Sequence, residues 1–164
     1  MKYLFLILLL NFTSSSYYTT TNNDFPCNKI LVTTTDDMTG KTNTSTRNFV
    51  LTGNVKWLFI RYNNRLLLSA TINNRPCIDR NSKMIFKLDN DEQIRFYNYL
   101  DFNCKGRSTV ALKTKGKRNL KQIEPFLKHR IKKIRLYQEN GYKDVVLTTI
   151  EQIQVQQVLK CLME

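Results

Sequence analysis

The chain has 164 residues, 41% of them hydrophobic and 24% charged, with only five glycines and three prolines. Such a chain is long enough for one domain with a hydrophobic core, and its composition excludes collagen-like and low-complexity proteins. Its formal net charge of +13 points to anionic partners or to a strongly solvated surface, and it does not decide between them.

Residues 1–16 have the pattern of a secretory signal peptide. Lys2 gives a positive start, an apolar run follows, and small residues come next at 13–16. The run is shorter than the ~20 residues of a transmembrane helix, so we predict a cleaved leader, with an uncleaved N-terminal anchor as the alternative. The mature protein would be secreted or periplasmic, without a membrane span. Residues 17–26 are predicted to be a flexible lead-in to a single β-rich domain over 27–164.

The four cysteines predict disulfide bonds, because an even number of cysteines is typical of disulfide-stabilised exported domains. Four cysteines allow three pairings, and the sequence alone does not choose among them. We favour Cys27–Cys161, which would join the two ends of the domain, with Cys77–Cys104 around a central hairpin. Zinc is the alternative, but the chain has no C-x-x-C pair and one histidine. We therefore predict no metal and no cofactor.

From residue 29 onwards, short runs rich in β-branched and aromatic residues alternate with turn signals. Asn63-Asn64 and Asn90-Asp91 each separate two such runs and suit tight hairpin turns. The pattern predicts an α+β, mostly β fold, an antiparallel meander curled as a sandwich or partial barrel. The predicted strands are 29–35, 42–51, 55–62, 65–72, 83–89, 92–100 and 108–114.

Two helices are predicted in the last third of the chain. The first covers 119–128, with Asn119 as its N-cap, and Pro125 is expected to end or kink it early. The second covers 149–162, where a T-x-x-E capping box at 148–151 precedes apolar residues that share one helical face.

Residues 128–147, KHRIKKIRLYQENGYKDVVL, contain the strong hairpin signal Asn140-Gly141. A two-residue loop at that pair would place Tyr137 opposite Asp144. One face of the hairpin would be apolar, and the other would carry lysines and arginines into water, which needs no further function to explain it. The predicted apolar residues are Ile134, Leu136, Val145 and Leu147.

The basic residues are nevertheless concentrated in one part of the chain. Between residues 105 and 137 there are twelve lysines or arginines and one acid, Glu124. A patch of this charge attracts polyanions without sequence preference, and a helix start beside it adds N–H donors for phosphate or sulfate. An ordinary solvated surface is the alternative. The predicted anion-binding residues are Lys113, Lys115, Lys117, Arg118, Lys121, Arg130, Lys133 and Arg135.

Aromatic residues could add to such a surface. Arg95, Tyr97 and Tyr99 alternate along the run at 92–100 and are predicted to share one strand face, where they would offer stacking contacts. Ordinary cross-strand aromatic pairing is the simpler interpretation of the same pattern.

The sequence contains no motif that supports catalysis. His129 is the only histidine, lies inside a basic run and is predicted to be an exposed linker residue. The acids Asp36, Asp37, Asp89 and Asp91 fall in predicted turns, where local hydrogen bonding explains them better than Ca²⁺ ligation. We therefore predict a non-enzymatic protein.

Three segments, together with the leader, resemble small exported proteins of Bacteroidetes-type bacteria to which no activity is assigned. The segments are the DDMTGK turn (36–41), the IKKIRLY strand (131–137) and the closing LKCL (159–162). The resemblance implies a compact strand-rich domain and a place in the cell envelope, and it carries over no site residues.

The predicted function is a non-enzymatic exported module that binds a partner or has a structural role in the cell envelope. The first alternative is an anionic-polymer binder (lipopolysaccharide, acidic polysaccharide or nucleic acid) that uses the basic region at 105–135. Export disfavours nucleic acid, and an acidic protein is a further candidate partner. A small hydrolase, or an inhibitor of one, is the second alternative.

Overall fold

The computed structural model describes residues 27–46 and 49–164, so the predicted leader (1–16) and lead-in (17–26) lie outside the described residues. The described part contains ten strands and three helices and confirms the predicted α+β, mostly β class. The strands are β1 Leu31–Thr35, β2 Thr42–Thr46, β3 Phe49–Leu51, β4 Val55–Tyr62, β5 Arg65–Ile72, β6 Lys83–Leu88, β7 Gln93–Tyr97, β8 Arg107–Lys113, β9 Ile131–Gln138 and β10 Gly141–Val146. The helices are α1 Cys27–Ile30, α2 Lys117–Lys128 and α3 Thr149–Met163.

In the part of the chain that is described, the strands form two antiparallel sheets. The first sheet has the order β1-β2-β4-β5-β8, with β3 pairing β4 as well. The second sheet has the order β10-β9-β6-β7. The chain therefore leaves the first sheet after β5, builds half of the second sheet, and returns with β8 as the partner of β5. This return brings residues that are far apart in sequence onto one sheet face.

Alternation along the strands gives each sheet one core face, as expected where the side-chain period is two. In the first sheet Trp57, Phe59 and Leu68 are at most 2% exposed. In the second sheet Phe86 and Leu136 are equally buried, and they belong to the same hydrophobic cluster as the buried residues of α2 and α3. The opposite face of the first sheet is consequently not part of this core.

Two predicted hairpins are present. β4 and β5 have the predicted bounds, and Tyr62 pairs with Arg65 around Asn63, whose φ is 52°. β6 and β7 flank the predicted turn at Asn90-Asp91, but β7 ends at Tyr97 and not at residue 100.

The start of α2 differs from the prediction. The helix begins two residues earlier than expected, after Gly116, and no side chain caps it. Asn119 is not the N-cap: its Nδ2 donates to the carbonyl oxygen of Lys115, at 2.6 Å. Asparagine is favoured at helix N-caps, but here the positive φ of Gly116 turns the chain into the helix, so the prediction was wrong.

Pro125 does not end α2 early, since the helix continues to its predicted last residue, Lys128. Proline removes one backbone donor from the helix. The residues beside it, Ile123 and Phe126, are each 1% exposed, and the Phe126 ring lies 5.2 Å from that of Phe86. This packing holds the last helical turn on the core despite the missing hydrogen bond.

The prediction for α3 is confirmed, including its capping box. Thr148 Oγ1 accepts from the backbone N–H of Glu151, and Glu151 accepts from the backbone N–H of Thr148. The Glu151 carboxylate also accepts from the backbone N–H of Thr52, at 2.6 Å. One acid therefore joins the start of α3 to the turn between β3 and β4.

Both favoured disulfides are present, Cys27–Cys161 and Cys77–Cys104, and none of the described cysteines is free. The first disulfide attaches α1 to the end of α3, so it joins the two ends of the described chain. The second lies beside the bridge of Ile78 to Asn103, and it closes the segment that carries β6 and β7.

The hairpin of β9 and β10 is present, but its two-residue loop lies one residue earlier in the chain than predicted, so the predicted register was wrong. Gln138 pairs with Gly141, which places Glu139 and Asn140 in the loop and sets Asp144 opposite Arg135. This register lets Asp144 accept two hydrogen bonds from Arg135, at 2.7 and 2.9 Å. The predicted faces are unchanged by the shift. The core-facing residues Ile134, Leu136, Val145 and Leu147 are all buried.

Candidate functional site

The outer face of the first sheet has positive charge at both ends and apolar and hydroxyl side chains between them. At one end Tyr62, Arg65 and Lys113 form a row across β4, β5 and β8. At the other end Lys56 and Arg107 flank Thr71 in a parallel row, six residues away along each strand. Six residues of β-strand span about 20 Å. The rows between are Ile60, Leu67 and Ala111, then Leu58, Ser69 and Thr109.

Two cations at the first end, Arg65 and Lys113, are direct cross-strand partners. The Cβ atoms of such partners lie about 4.5–5.5 Å apart, and like charges there destabilise a sheet. Among the described residues no carboxylate lies within 4.0 Å of either cation or of Lys115, two residues further on. The three cations are therefore held together without an acid to compensate them.

A short loop after β7 places an aromatic ring over this face. Asn98 is 4% exposed, and its Oδ1 accepts from the backbone N–H of Thr109, at 2.9 Å. The backbone N–H of Tyr99 donates to the carbonyl oxygen of Thr109, at 2.6 Å. These two bonds fix the loop to the edge of β8. As a result Tyr99 leaves the second sheet, where Arg95 and Tyr97 remain, so the three residues do not share one strand face as predicted.

The Tyr99 side chain orients Arg65. Arg65 Nη1 donates to Tyr99 Oη at 2.6 Å, and the Arg65 guanidinium carbon lies 5.4 Å from the centre of the Tyr99 ring. A phenol leaves the guanidinium its full charge and four further N–H donors. Arg65 is thus held in one place while still able to bind a carboxylate, phosphate or sulfate through two parallel hydrogen bonds.

These residues line a solvent-exposed cleft of about 710 Å³. Besides the three cations and two tyrosines, the lining includes amide side chains, which both donate and accept hydrogen bonds. The lining residues are Tyr62, Asn63, Asn64, Arg65, Leu67, Tyr99, Lys113, Lys115 and Asn119.

A second cleft, of about 410 Å³, continues along the same face. It shares Leu67 and Tyr99 with the first cleft and extends to Lys56 and Arg107. Between these ends its floor is mainly apolar, and Ser69 Oγ and Thr109 Oγ1 lie 2.8 Å apart as a hydrogen-bonded pair. We call the two clefts together the sheet groove.

The rest of the predicted basic region is neutralised by acids that are distant in sequence. Arg130 Nε donates to Asp89 Oδ2 at 3.1 Å. Lys133 and Arg135 both contact Asp144. The hydrogen bonds from Arg135, with those from Lys133, lower the pKa of Asp144 to about 2 although partial burial opposes this. These three cations are therefore already paired with acids of the protein itself.

Two further ion pairs reduce the charge near α2 and β9. Lys128 Nζ lies 2.6 Å from Glu124 Oε1, one helical turn away, and this contact lowers the pKa of Glu124. Lys132 Nζ lies 3.8 Å from Asp91 Oδ1, whose stronger partner is Lys87 at 3.0 Å.

The predicted anion-binding residues thus divide into separate groups. Lys113 and Lys115 line the sheet groove. Lys117 and Lys121 are exposed on α2, which starts two residues after Lys115, and the backbone of Arg118 belongs to the same helix. The remaining three are on or beside β9 in the ion pairs described above, and the structure does not bring them to the groove. They are Arg130, Lys133 and Arg135.

The sequence analysis missed Arg65, Tyr62 and Lys56 as parts of the site. The hairpin prediction already implied that Tyr62 and Arg65 pair across Asn63-Asn64. The neighbouring positions of these two residues could therefore be predicted from the sequence. The pairing of β5 with β8 could not be predicted from the sequence, because more than thirty residues, including β6 and β7, separate the two strands. Without that pairing, nothing places Lys113 beside Arg65.

The other candidate centres show no comparable arrangement. His129 is half-buried at the end of α2, not an exposed linker, and its Nδ1 lies 3.2 Å from Asp89 Oδ1. Within residues 27–46 and 49–164 no group of three or more histidines, cysteines or acids is placed to hold a metal ion. No helix in these ranges is long and apolar enough to cross a membrane.

Comparisons of the chain with protein-family models, with curated proteins and with solved structures found no match.

Proposed function

We propose that the protein is a non-enzymatic, exported binding module of the cell envelope whose ligand is an anionic polymer. The observation that carries this proposal is the cross-strand pair Arg65 and Lys113, which with Lys115 faces a cleft and has no acidic partner in the described residues. Holding three cations together costs folding free energy. A bound anion would offset that cost, and its affinity would fall with rising salt.

The charge distribution supports the groove over the basic region at 105–135 as a whole. Four of the twelve cations in that region are already paired with Asp89, Asp91 or Asp144, whereas the groove brings in Arg65 and Lys56 from outside it. A polymer that approaches the protein is therefore attracted to the outer face of the first sheet, and not to β9.

Export is part of the same proposal. The two disulfides support an oxidising compartment, either the periplasm or the exterior. Intact-mass measurement after expression in a Gram-negative host tests this directly. We expect loss of the leader mass and cysteines that are alkylated only after reduction. An uncleaved product with four free thiols would contradict export.

Binding is tested on heparin, a sulfated polysaccharide, over a range of salt concentrations. The triple variant Arg65→Gln, Lys113→Gln, Lys115→Gln is expected to lose at least tenfold in affinity at about 0.15 M salt and to show a shallower salt dependence. The matched control replaces Lys29, Lys143 and Lys160 by glutamine, which removes the same charge from exposed positions outside the groove.

The control variant should retain affinity within about threefold, since it changes only the distant field of the protein. Equal losses in the two variants would show that net charge, and not the groove, attracts the polymer. Absence of salt-dependent binding by the unmodified protein would overturn the proposal as a whole.

A further inference from the structure

The two ends of the sheet groove suggest a ligand of a defined kind. Cations occur at both ends, about 20 Å apart by strand geometry, and between them lie rings, amides and apolar side chains. A single small anion would use only one end. A flexible polyanion without rings would use both ends but would leave the tyrosines and the apolar floor without a partner.

We propose that the sheet groove binds a segment of an acidic polysaccharide, with sugar carboxylates at its two cationic ends and a sugar ring against Tyr99. The inference rests on the proposed function and specifies its ligand class. A uronic-acid chain carries a negative charge on each ring, hydroxyl groups that need donors and acceptors, and an apolar C–H face. The groove supplies a counterpart for each of these.

The first end provides the strongest anion site. Arg65 is held by the Tyr99 hydroxyl in an orientation that leaves donors for a carboxylate, and Lys113 and Lys115 reach into the same cleft. Arginine binds a planar carboxylate through two parallel hydrogen bonds, which adds geometric selectivity to the charge attraction.

The aromatic residues provide the selectivity for a sugar ring. Tyr99 is 51% exposed although its backbone is fixed to β8, so its ring is both accessible and rigidly placed. Tyr62 is 36% exposed in the same cleft. An aromatic ring fixed at a surface gives contact area at little cost in conformational entropy. Asn63 and Asn64, in the hairpin turn, offer amides to sugar hydroxyls.

The second end requires a ligand longer than one sugar. Lys56 and Arg107 lie in the row at the far end of the face, and the apolar floor at Leu58 and Leu67 separates them from the first cations. An oligosaccharide that follows the groove would place one carboxylate at each end. A disaccharide would reach only one end, so affinity is expected to rise with chain length.

The test uses calorimetry with four probes, namely hexagalacturonate, digalacturonate, methyl-esterified hexagalacturonate and poly-glutamate of similar charge. Hexagalacturonate should bind at least tenfold more tightly than the dimer or poly-glutamate, and the neutral ester should not bind. The double variant Lys56→Gln, Arg107→Gln should weaken the hexamer and leave the dimer within about twofold, whereas Lys29→Gln, Lys160→Gln should affect neither.

The tyrosine variants separate ring stacking from charge. Tyr99→Phe removes the hydroxyl that orients Arg65 and should weaken hexagalacturonate and poly-glutamate to the same extent. Tyr99→Ala removes the ring as well, so relative to Tyr99→Phe it should weaken hexagalacturonate by about a further three- to tenfold and leave poly-glutamate within about twofold. Tyr97→Ala is the matched control, because Tyr97 is an exposed tyrosine on the edge of the second sheet, 57% exposed.

The outcomes distinguish the two proposals. Poly-glutamate binding as tightly as hexagalacturonate, or equal effects of Tyr99→Ala and Tyr97→Ala, would overturn the saccharide inference while the anionic-polymer function stands. No binding of any charged probe would overturn the function itself, and the saccharide inference with it.

Discussion

Gly106 has no side chain, and this allows its backbone to lie directly against the segment at residues 72–76. Its φ is +67°, and a Cβ built there would lie 2.5 Å from the carbonyl oxygen of Ile72 and 2.9 Å from the Cα of Arg75. Both contacts are with backbone, which cannot move aside. The residue also accepts from the N–H of Ile72 and donates to the carbonyl oxygen of Pro76, so the chain must pass close to them at this point.

Replacing Gly106 by alanine is therefore expected to destabilise the fold by about 3 kcal/mol or more, from a left-handed backbone and a steric clash together. Gly40→Ala is the matched control, since its φ is +64° but nothing lies within 4 Å of the added Cβ. That variant should lose only about 1 kcal/mol. Urea unfolding at neutral pH measures both, and equal losses would show that the clash is relieved by local movement.

The candidate site also depends on single residues whose partners come from distant strands. Arg65, Lys113 and Tyr99 are each ordinary in their own segment, an edge charge or a loop aromatic. They become a site only because β8 returns to β5 and because Asn98 fixes the loop after β7. No local pattern encodes either event, which is why Lys113, Lys115 and Tyr99 could be named as candidates from the sequence, but not Arg65 or the arrangement that brings the four residues together.

At the scale of elements, the hairpins were predictable because their information is local. The Asn63-Asn64 turn gave β4 and β5 with correct bounds, and the alternation gave the core face of β9 and β10. The register of the latter hairpin was not predictable from Asn140-Gly141 alone. The pairing that forms instead sets Asp144 against Arg135 and Tyr142 against Tyr137, with the last two rings 5.9 Å apart.

This register makes the β9–β10 hairpin sensitive to acid. The pKa of Asp144 is lowered from 3.8 to about 2 by its hydrogen bonds with Arg135 and Lys133. Because the folded pKa lies below the unfolded one, the stabilisation is complete above about pH 4 and is lost as the pH falls towards about 2. After allowance for partial exposure to solvent, its magnitude is about 1–2 kcal/mol.

Asp144→Asn is accordingly expected to lower the free energy of unfolding by about 1–2 kcal/mol at neutral pH, and the difference from the unmodified protein should shrink below about pH 4. Urea unfolding across this pH range measures it. Asp101→Asn is the control, because that acid is 92% exposed and 3.7 Å from Arg80, so a change within about 0.5 kcal/mol is expected at every pH. A loss for Asp144→Asn that stays constant with pH would contradict the role of its ionised form.

At the scale of the whole molecule, the net charge is +13, and within the described residues the two sheets differ in how far acids compensate their cations. In and beside the second sheet, Asp89 pairs with Arg130, and Asp144 pairs with Lys133 and Arg135. The outer face of the first sheet leaves its cations unpaired among the described residues. The excess of cations over acids can be counted from the sequence, but only the fold shows which surface carries the unpaired cations.

The two ends of the described chain are joined by Cys27–Cys161, whose loop spans 134 residues, whereas Cys77–Cys104 closes a loop of 27. A cross-link stabilises mainly by restricting the unfolded chain, and more so for a longer loop. The variant Cys27→Ala, Cys161→Ala is therefore expected to lose about 5 kcal/mol, and Cys77→Ala, Cys104→Ala about 3.5 kcal/mol. Guanidinium unfolding of each variant, with the remaining disulfide verified by mass, measures the order. The reverse order would show that native contacts around Cys77 and Cys104, and not the entropy of the unfolded chain, determine what each disulfide contributes.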